Sequence, residues 1–386
     1  MLVAWPMPDR SWNGGVNYFK NLQAGLALLP GRRFDPVFWG HIKELPDSLI
    51  GSPCIEAGLD QASSAIFRGL RRGLLLAGQS PKWVSGWVVP ALRERGVVAM
   101  THTFPWGCGE KFPSLSWIPD FQHLHLPLNF PLVERKRRMA YDRILCRHAE
   151  RLIVSSESAR VDLDGFFPGA SSRARVLRFV AAVDGDDSKD DAVLLRLGIQ
   201  RGFYHLPNQL WKHKNHQIVL EAMQILKDRG RRVPAVICTG SLEDPRNPEY
   251  GGKFQDEVSA LGFSDQLRIL GPVRYGDVMA LMRCSLAVIN PSTFEGWSST
   301  VEEAKSLGKR VLLSDIPVHR EQDPDRCVYF PADDPGALAD LIDAWSEDFD
   351  PLLEQRERKR AESELPERLR AFARSYQDMV LEALAI

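Results

Sequence analysis

Short apolar runs alternate along this chain with longer stretches whose apolar residues recur every three or four positions. In the first half the runs Leu2–Trp5, Phe34–Trp39, Val97–Met100, Leu115–Ile118, Arg151–Ser155 and Arg175–Val180 predict strands. Val16, Phe19, Leu22, Leu26 and Leu29 predict an amphipathic helix, preceded by a loop from Pro6 to Asn13 with Gly14-Gly15 at its end. Residues 65–76, 133–151 and 157–166 are also helical in period, whereas 41–62 and 101–113 predict loops. Residues 181–198 are small, acidic and without apolar period, which predicts a linker. Beyond it, strands are predicted at Phe203–Leu206, Ala235–Cys238, Gln266–Leu270, Leu286–Ile289, Val311–Ser314 and Val328–Phe330. Helices are predicted between and after them at 214–229, 253–261, 275–283, 299–307 and 335–346. From Pro351 the tail is charged and helical, with an apolar stripe of Leu369, Phe372, Tyr376, Met379 and Val380 that must pack on something.

Strands alternating with helices at this spacing predict an α/β chain of parallel sheets with right-handed crossovers. At 386 residues the chain suits two domains. Their predicted extents are 1–182 and 199–365, with 366–386 as a closing helix. Ligands of such sheets bind beyond the carboxyl ends of the strands.

Composition narrows the function classes. A formal net charge of −1 gives no overall pull toward nucleic acid, so any basic surface is local. The six cysteines are scattered without a C-x-x-C pair, against a zinc site or a disulfide framework and in keeping with a reducing cytoplasm. The chain opens directly on a strand-like run, without the pattern of a secretory signal. Its apolar runs are far shorter than the ~18 residues of a membrane span. Two local basic groups stand out: Arg68, Arg71 and Arg72, and the segment 133–151, with seven Lys/Arg against three acids. A solvated helix face and a face for an anionic membrane or acidic substrate are both open readings of the second.

The densest chemistry lies in NPSTFEGWSSTVEEAKSLGKRVLLSD, residues 290–315. Strand, small-residue turn and helix in that order present backbone N–H groups at a helix N-terminus, an anion site. Glu295 and Glu303 border the turn with seven residues between them. Glu303 with Thr300, or Glu302 with Ser299, also fits a capping box that needs no ligand. Glu295, at the strand exit, has no such structural role. A second cluster is LPNQLWKHKNH at 206–216, where Lys212, His213 and Lys214 crowd a predicted helix start and oppose its dipole unless an anion arrives. A third is SWIPDFQHLHLP at 116–127, a strand end running into a loop with Asp120, His123 and His125. Turn formation by Asp120 and a packed imidazole for His123 are as open as catalytic roles.

With these residues in view, the chain resembles the family 4 retaining glycosyltransferases, with their Glu-x7-Glu motif, and is similar to group 1 polysaccharide-biosynthesis transferases. The resemblance runs through the Gly14-Gly15 loop, IPDFQHLHLP, LPNQLWKHKNH, LGPVRYGDVMALMRCSLAVINPS and SDIPVHREQ. It implies a GT-B fold: two Rossmann-like domains with parallel sheets facing a central cleft, and a C-terminal helix crossing back to the first. It implies that Glu303 accepts from the ribose hydroxyls of a sugar nucleotide. Glu295 and the backbone of Gly296, Trp297, Ser298 and Ser299 would face the transferred sugar. Lys214 would bind the diphosphate, Gly14 and Gly15 would approach the phosphates, and Val273 and Arg274 would meet the base. Asp120 and His123 would lie where acceptor and sugar meet. One departure is Asn208-Gln209, where many members place Gly-Arg; Gln209 donates hydrogen bonds but carries no charge.

The implied activity is retaining, metal-independent transfer of a hexose from a UDP-, GDP- or dTDP-sugar to a saccharide or lipid-linked acceptor. Its setting would be surface polysaccharide or glycoconjugate synthesis in the cytoplasm, at the inner face of the membrane, without cofactor or nucleic-acid partner. A nucleotide-sugar epimerase or hydrolase on the same fold, and a silent sugar-nucleotide-binding protein, are the alternatives.

Overall fold

The computed structural model describes residues 1–9, 13–56, 82–103, 112–183, 186–347 and 349–385. Arg68, Arg71 and Arg72, the helix predicted over 65–76, Cys108 and most of the loop predicted at 101–113 lie outside them. The described residues form two compact units, Met1–Val180 with Pro366–Ile386, and Ala181–Leu365.

The first unit is a seven-stranded parallel sheet in the order β3-β2-β1-β4-β5-β6-β7. Its strands are β1 Leu2–Pro6, β2 Asp35–Trp39, β3 Cys54–Ile55, β4 Val97–Thr101, β5 Ser114–Ile118, β6 Arg151–Val154 and β7 Ala174–Val176. The helices are α1 Asn13–Leu28, α2 Lys82–Glu94, α3 Gln122–His125, α4 Leu132–His148 and α5 Glu157–Phe166. Strands with both faces covered read as continuous apolar runs, and Val3, Ala4, Trp5, Leu152, Ile153 and Val154 are all buried. Three expectations need correction. Gly14 and Gly15 lie in the first turn of α1 rather than in a loop. The segment after β5 is not a plain loop but turns into the one-turn helix α3. The loop predicted over 41–62 holds the short edge strand β3, and after the undescribed stretch comes a helix, α2, with Val88, Val89 and Leu92 in the core.

The apolar stripe of the tail belongs to this unit. Leu369, Phe372, Tyr376, Met379 and Val380 are buried. Tyr376 Oη accepts from Trp5 Nε1 at 2.6 Å and shares a 2.6 Å hydrogen bond with Thr101 Oγ1. Gly25 of α1 lies so close to this segment that a Cβ there would stand 2.7 Å from the Leu369 carbonyl oxygen, so only glycine fits.

The second unit has a six-stranded parallel sheet in the order β10-β9-β8-β11-β12-β13. These are β8 Phe203–Leu206, β9 Ala235–Cys238, β10 Leu267–Ile269, β11 Val288–Asn290, β12 Val311–Ser314 and β13 Cys327–Phe330. The helices are α6 Asp190–Leu197, α7 His216–Asp228, α8 Tyr250–Ala260, α9 Tyr275–Cys284, α10 Ser299–Ser306, α11 Pro317–Gln322, α12 Pro335–Glu347 and α13 Pro351–Leu384. The division between the units falls within α13, at Pro366. The predicted linker is corrected in its second half: 190–197 is helical, because Asp190 is buried against Arg283 (2.6 and 2.9 Å) and Leu194 fills a core of Ile199, Phe203 and Leu281. The strand order reverses between β8 and β11, so the carboxyl ends of those two strands form the topological switch point of this sheet.

Candidate active site

The loops leaving β8 and β11 build the switch point. After β8 the chain runs through Asn208 and Gln209 into a single 3₁₀ turn, Lys212–Lys214. Asn215, at φ 56°, then resets the direction before α7 begins at His216. Lys214 is therefore not at a helix start as expected; a left-handed residue separates it from α7 and its dipole. His213 is buried, and burial, reinforced by Lys214, pulls its pKa down to about 3. The predicted three-cation cluster thus carries two charges, Lys212 and Lys214.

After β11 the turn is held by a chain of short polar side chains. Asn290 Oδ1 accepts from Asn208 Nδ2 (3.1 Å) and Ser292 Oγ (2.8 Å), and its amide donates to Ser298 Oγ (2.8 Å). Thr300 Oγ1 donates to Asn208 Oδ1 at 3.3 Å. Thr293 N donates to the His213 carbonyl at 2.8 Å, tying the two loops together. Buried polar groups hold a geometry when each has its partner. Asn208 has both ends engaged here and serves as scaffold, whereas the half-buried Gln209 side chain has no such bond among the described residues.

Within this scaffold Lys214 Nζ donates to Glu295 Oε1 at 2.6 Å, with side chains 16% and 9% exposed. Ser292 Oγ lies 2.7 Å from the same oxygen and shares its one proton between it and Asn290 Oδ1. Burial alone would raise the Glu295 carboxyl, but the Lys214 ammonium and its hydrogen bond hold it below the usual range. An ammonium has three donors, so Lys214 keeps capacity for an anion beside the carboxylate.

Helix α10 corrects both capping expectations. Its N-cap is Ser298, and no side chain caps it. Ser298 instead exchanges hydrogen bonds with Gln322, N to Oε1 and Nε2 to O, each 3.0 Å. Glu302 accepts from Gln322 Nε2 at 3.1 Å. Glu303 is 8% exposed and accepts from Tyr275 Oη at 3.0 Å. Burial pushes its carboxyl up to about 7, against the lowering effect of that hydroxyl. A carboxylate held that high is costly to ionise alone and is eased by further donors. Tyr275 comes directly after Val273 and Arg274, so the latter two stand at the loop that brings a partner to Glu303. Gly296 and Trp297 are half-buried and Ser299 is exposed on the turn.

Residues that sequence reasoning missed are the supports: Ser292, Asn290, Tyr275, Gln322 and His319. The His319 imidazole is buried beside this loop, with Nδ1 2.9 Å from the Ser314 carbonyl oxygen and Nε2 without a hydrogen bond. None has a local pattern that marks it; only the run of short polar residues between Asn290 and Thr300 was a signal.

Asp120 and His123 belong to the first unit, not to this cluster. They line a pocket of about 440 Å³ together with Trp117, Arg137, Tyr141 and Asp142. Asp120 Oδ1 accepts from Gln122 N at 2.9 Å, the turn-forming role. His123 Nε2 lies 3.4 Å from Asp142 Oδ2, in the ion-pair range but without a hydrogen bond. Burial, with Arg138 and Arg135 nearby, pulls His123 down to about 4; burial and the Asp120 carboxylate push Asp142 up to about 7. Gly14 is exposed and Gly15 buried at the start of α1. Among the described residues no three His, Cys, Asp or Glu side chains gather as a metal site would require.

Residues 203–364 match the family model of glycosyl transferases group 1. No curated protein sequence matches the chain. Solved structures similar to it include Anabaena HepE in complex with UDP and glucose, at a TM-score of 0.70 and 15% identity over 99% of this chain and 100% of that one. Sucrose-phosphate synthase from Thermosynechococcus elongatus matches at 0.68 and 15%, over 100% and 99%. WaaG, a glycosyltransferase involved in lipopolysaccharide biosynthesis, matches at 0.59 and 14%, over 100% and 99%. At such identities the likeness is one of fold, and the fold is GT-B.

Proposed function

We propose, from the premise that residues 203–364 are a group 1 glycosyl transferase domain, that this protein is a glycosyltransferase whose donor is a nucleoside-diphosphate sugar. The observation that carries the reading is the pair of glutamates at the switch point, one paired with Lys214 and the other buried beside Tyr275. Glu303 takes the ribose hydroxyls, whose donors relieve a carboxyl that burial holds near 7. Val273 and Arg274 flank the base. Lys214, Gln209 and the uncapped N–H groups of α10 meet the diphosphate. Glu295 and the backbone of Gly296 to Ser299 orient the sugar.

In this mechanism bond breaking leaves growing negative charge on the diphosphate, and preorganised positive potential from Lys214 lowers that barrier. Attack of the acceptor hydroxyl on the same face, with the leaving phosphate taking its proton, gives retention without a protein nucleophile, metal or cofactor. The transferred group is a hexose, and the HepE complexes with UDP and with UDP-glucose favour UDP as the first nucleotide to try. Asp120 and His123 belong to the acceptor side.

The product is placed in surface polysaccharide or glycoconjugate synthesis, on a saccharide or lipid-linked acceptor at the cytoplasmic membrane face. No described helix is long and apolar enough to cross a membrane. Exposed Leu128, Leu132 and Val133 lie beside the cations of α4, which supports docking on an anionic bilayer. Failure to bind phosphatidylglycerol vesicles at low salt would remove that part of the reading. Thermal shifts with UDP-, GDP-, ADP- and dTDP-sugars, then acceptor-dependent nucleotide release in EDTA and the anomeric configuration of the product, test the rest. Nucleotide release that needs no acceptor would instead make the protein an epimerase or hydrolase, and donor binding without turnover a silent binder.

A further inference from the structure

The pocket of the first unit has a composition that a neutral saccharide does not require. Trp117 and Tyr141 give it aromatic wall, as a pyranose ring needs. Its polar wall is Asp120, held by the Gln122 N–H, and the His123–Asp142 pair, side chains 3% and 9% exposed, whose facing atoms make no hydrogen bond. An unsatisfied buried pair in a pocket wall is costly unless a ligand donor or acceptor completes it. At the rim stands Arg137, exposed and without a carboxylate partner among the described residues, whereas its neighbour Arg138 is paired with Glu134 at 2.8 Å. Helix α4 carries six Lys/Arg against two acids, and one of those acids, Asp142, is buried in this wall. The positive potential over the mouth is therefore only partly compensated by the helix itself, through Glu134.

From this we infer that the pocket is the acceptor subsite, and that its acceptor is a sugar bearing a phosphate or carboxylate, which Arg137 grips while Trp117 and Tyr141 flank the ring and His123 and Asp142 receive a hydroxyl. The inference rests on the glycosyltransferase reading and deepens it by naming the acceptor class. Phosphate on a free sugar and phosphate linking a sugar to a lipid present the same chemistry to Arg137, which can hold either in a bidentate fork.

The test uses the full chain and isothermal titration with glucose 6-phosphate, glucuronate, a short-chain prenyl-phosphate glucose and neutral methyl glucoside. At least one anionic probe should bind at least tenfold more tightly than the neutral glycoside. R137A should weaken that probe by about 10- to 100-fold, the range of a charge-assisted hydrogen bond. R147A, an equal charge loss on α4 outside the pocket, should change it less than threefold. Preference for the prenyl probe points to a lipid-linked acceptor, and equal binding of the free sugar phosphate to a soluble one. Equal affinity for neutral and anionic probes, an R137A effect no larger than that of R147A, or no probe binding at all overturns the inference. A parallel thermal shift with UDP-glucose separates the two readings. If the donor binds and no anionic acceptor does, only this inference falls; if no nucleotide sugar binds, the function it rests on falls too.

Discussion

Replacing Glu303 by Gln tests the candidate site from two directions at once. The carboxyl has an ordinary value of 4.5 in an open chain and about 7 in the folded unit, because burial outweighs the one donor it has among the described residues, Tyr275 Oη. A group raised in this way favours the folded state fully below pH 4.5 and loses that advantage as pH rises through 7. By pH 8 both states are ionised, and the folded unit has given up about 3 kcal/mol. Glutamine stays neutral throughout, so the variant avoids that loss. Its amide adds donors to a buried place and returns about 1 kcal/mol. The second unit of E303Q should then be more stable than wild type by about 2 kcal/mol at pH 8 and no more stable at pH 4.5. Urea midpoints at the two pH values, monitored through unit 2, measure this.

Donor binding should move the opposite way. Ribose hydroxyls favour the carboxylate, so the donor must drive a proton off Glu303 below pH 7. Affinity for the nucleotide sugar should rise up to tenfold per pH unit between about 5 and 7, with one proton released, seen as a buffer-dependent binding enthalpy. In E303Q the proton release should vanish and affinity fall by about 10- to 100-fold, as expected from lost hydrogen bonds to a charged acceptor. A variant that is more stable and binds donor more weakly is the signature of a site that gives up stability for function. If E303Q loses stability at pH 8, or wild type binds donor at pH 6 without releasing a proton, the assignment of Glu303 is wrong.

Lys214→Ala should leave the Glu295 carboxylate buried without its cation, destabilise unit 2 by about 3–5 kcal/mol and cut turnover by about 10²- to 10³-fold. Adding Glu295→Gln should restore most of the stability but none of the turnover, a split that denaturation and nucleotide-release assays read separately. Tyr376→Phe removes the oxygen that Trp5 Nε1 and Thr101 share. It should cost unit 1 about 1–3 kcal/mol in urea denaturation while leaving the donor thermal shift unchanged. Asn208→Ala removes one donor from Asn290 Oδ1 and frees the Thr300 hydroxyl, so donor affinity should weaken severalfold through a loosened turn, with unit 2 less stable by about 1–3 kcal/mol.

Most strands and helices were legible because a fully covered parallel sheet writes its strands as unbroken apolar runs. Phe203–Leu206, Ala235–Cys238 and Val311–Ser314 coincide with the runs that predicted them. What the sequence hid is what other parts of the chain supply. Helix α6 looked like an acidic linker because the partner that makes Asp190 a buried residue is Arg283, 93 positions later. Helix α11, Pro317–Gln322, is too short to show a period, yet its last residue holds the N-terminus of α10. The capping boxes were plausible locally and failed because Ser298, one residue before Ser299, already serves as N-cap. The glutamates and Lys214 stand out in the sequence; that Lys214 pairs with Glu295 across 81 residues, and Tyr275 with Glu303 across 28, does not.

The distance in sequence between those partners also explains why two glutamates of one motif behave differently. Both are buried on the same turn and helix, and burial raises each. Glu295 stands where β8 and β11 run side by side, so the loop after β8 delivers an ammonium to it and it stays ionised. Glu303 lies one helical turn into α10, where the start of α9 brings it a phenol hydroxyl. Topology thus pushes the two carboxyl groups to opposite sides of their ordinary value, the usual mark of acids with separate tasks. The ionised one suits a fixed place beside leaving-group charge and the sugar. The other waits near neutrality for donors that only a ligand brings. Exchanging Tyr275 for Phe should therefore raise the pH at which donor binding becomes strong, whereas it should leave the Lys214–Glu295 pair and its stability contribution untouched. A shift to lower pH would show that Tyr275 does not support the Glu303 carboxylate.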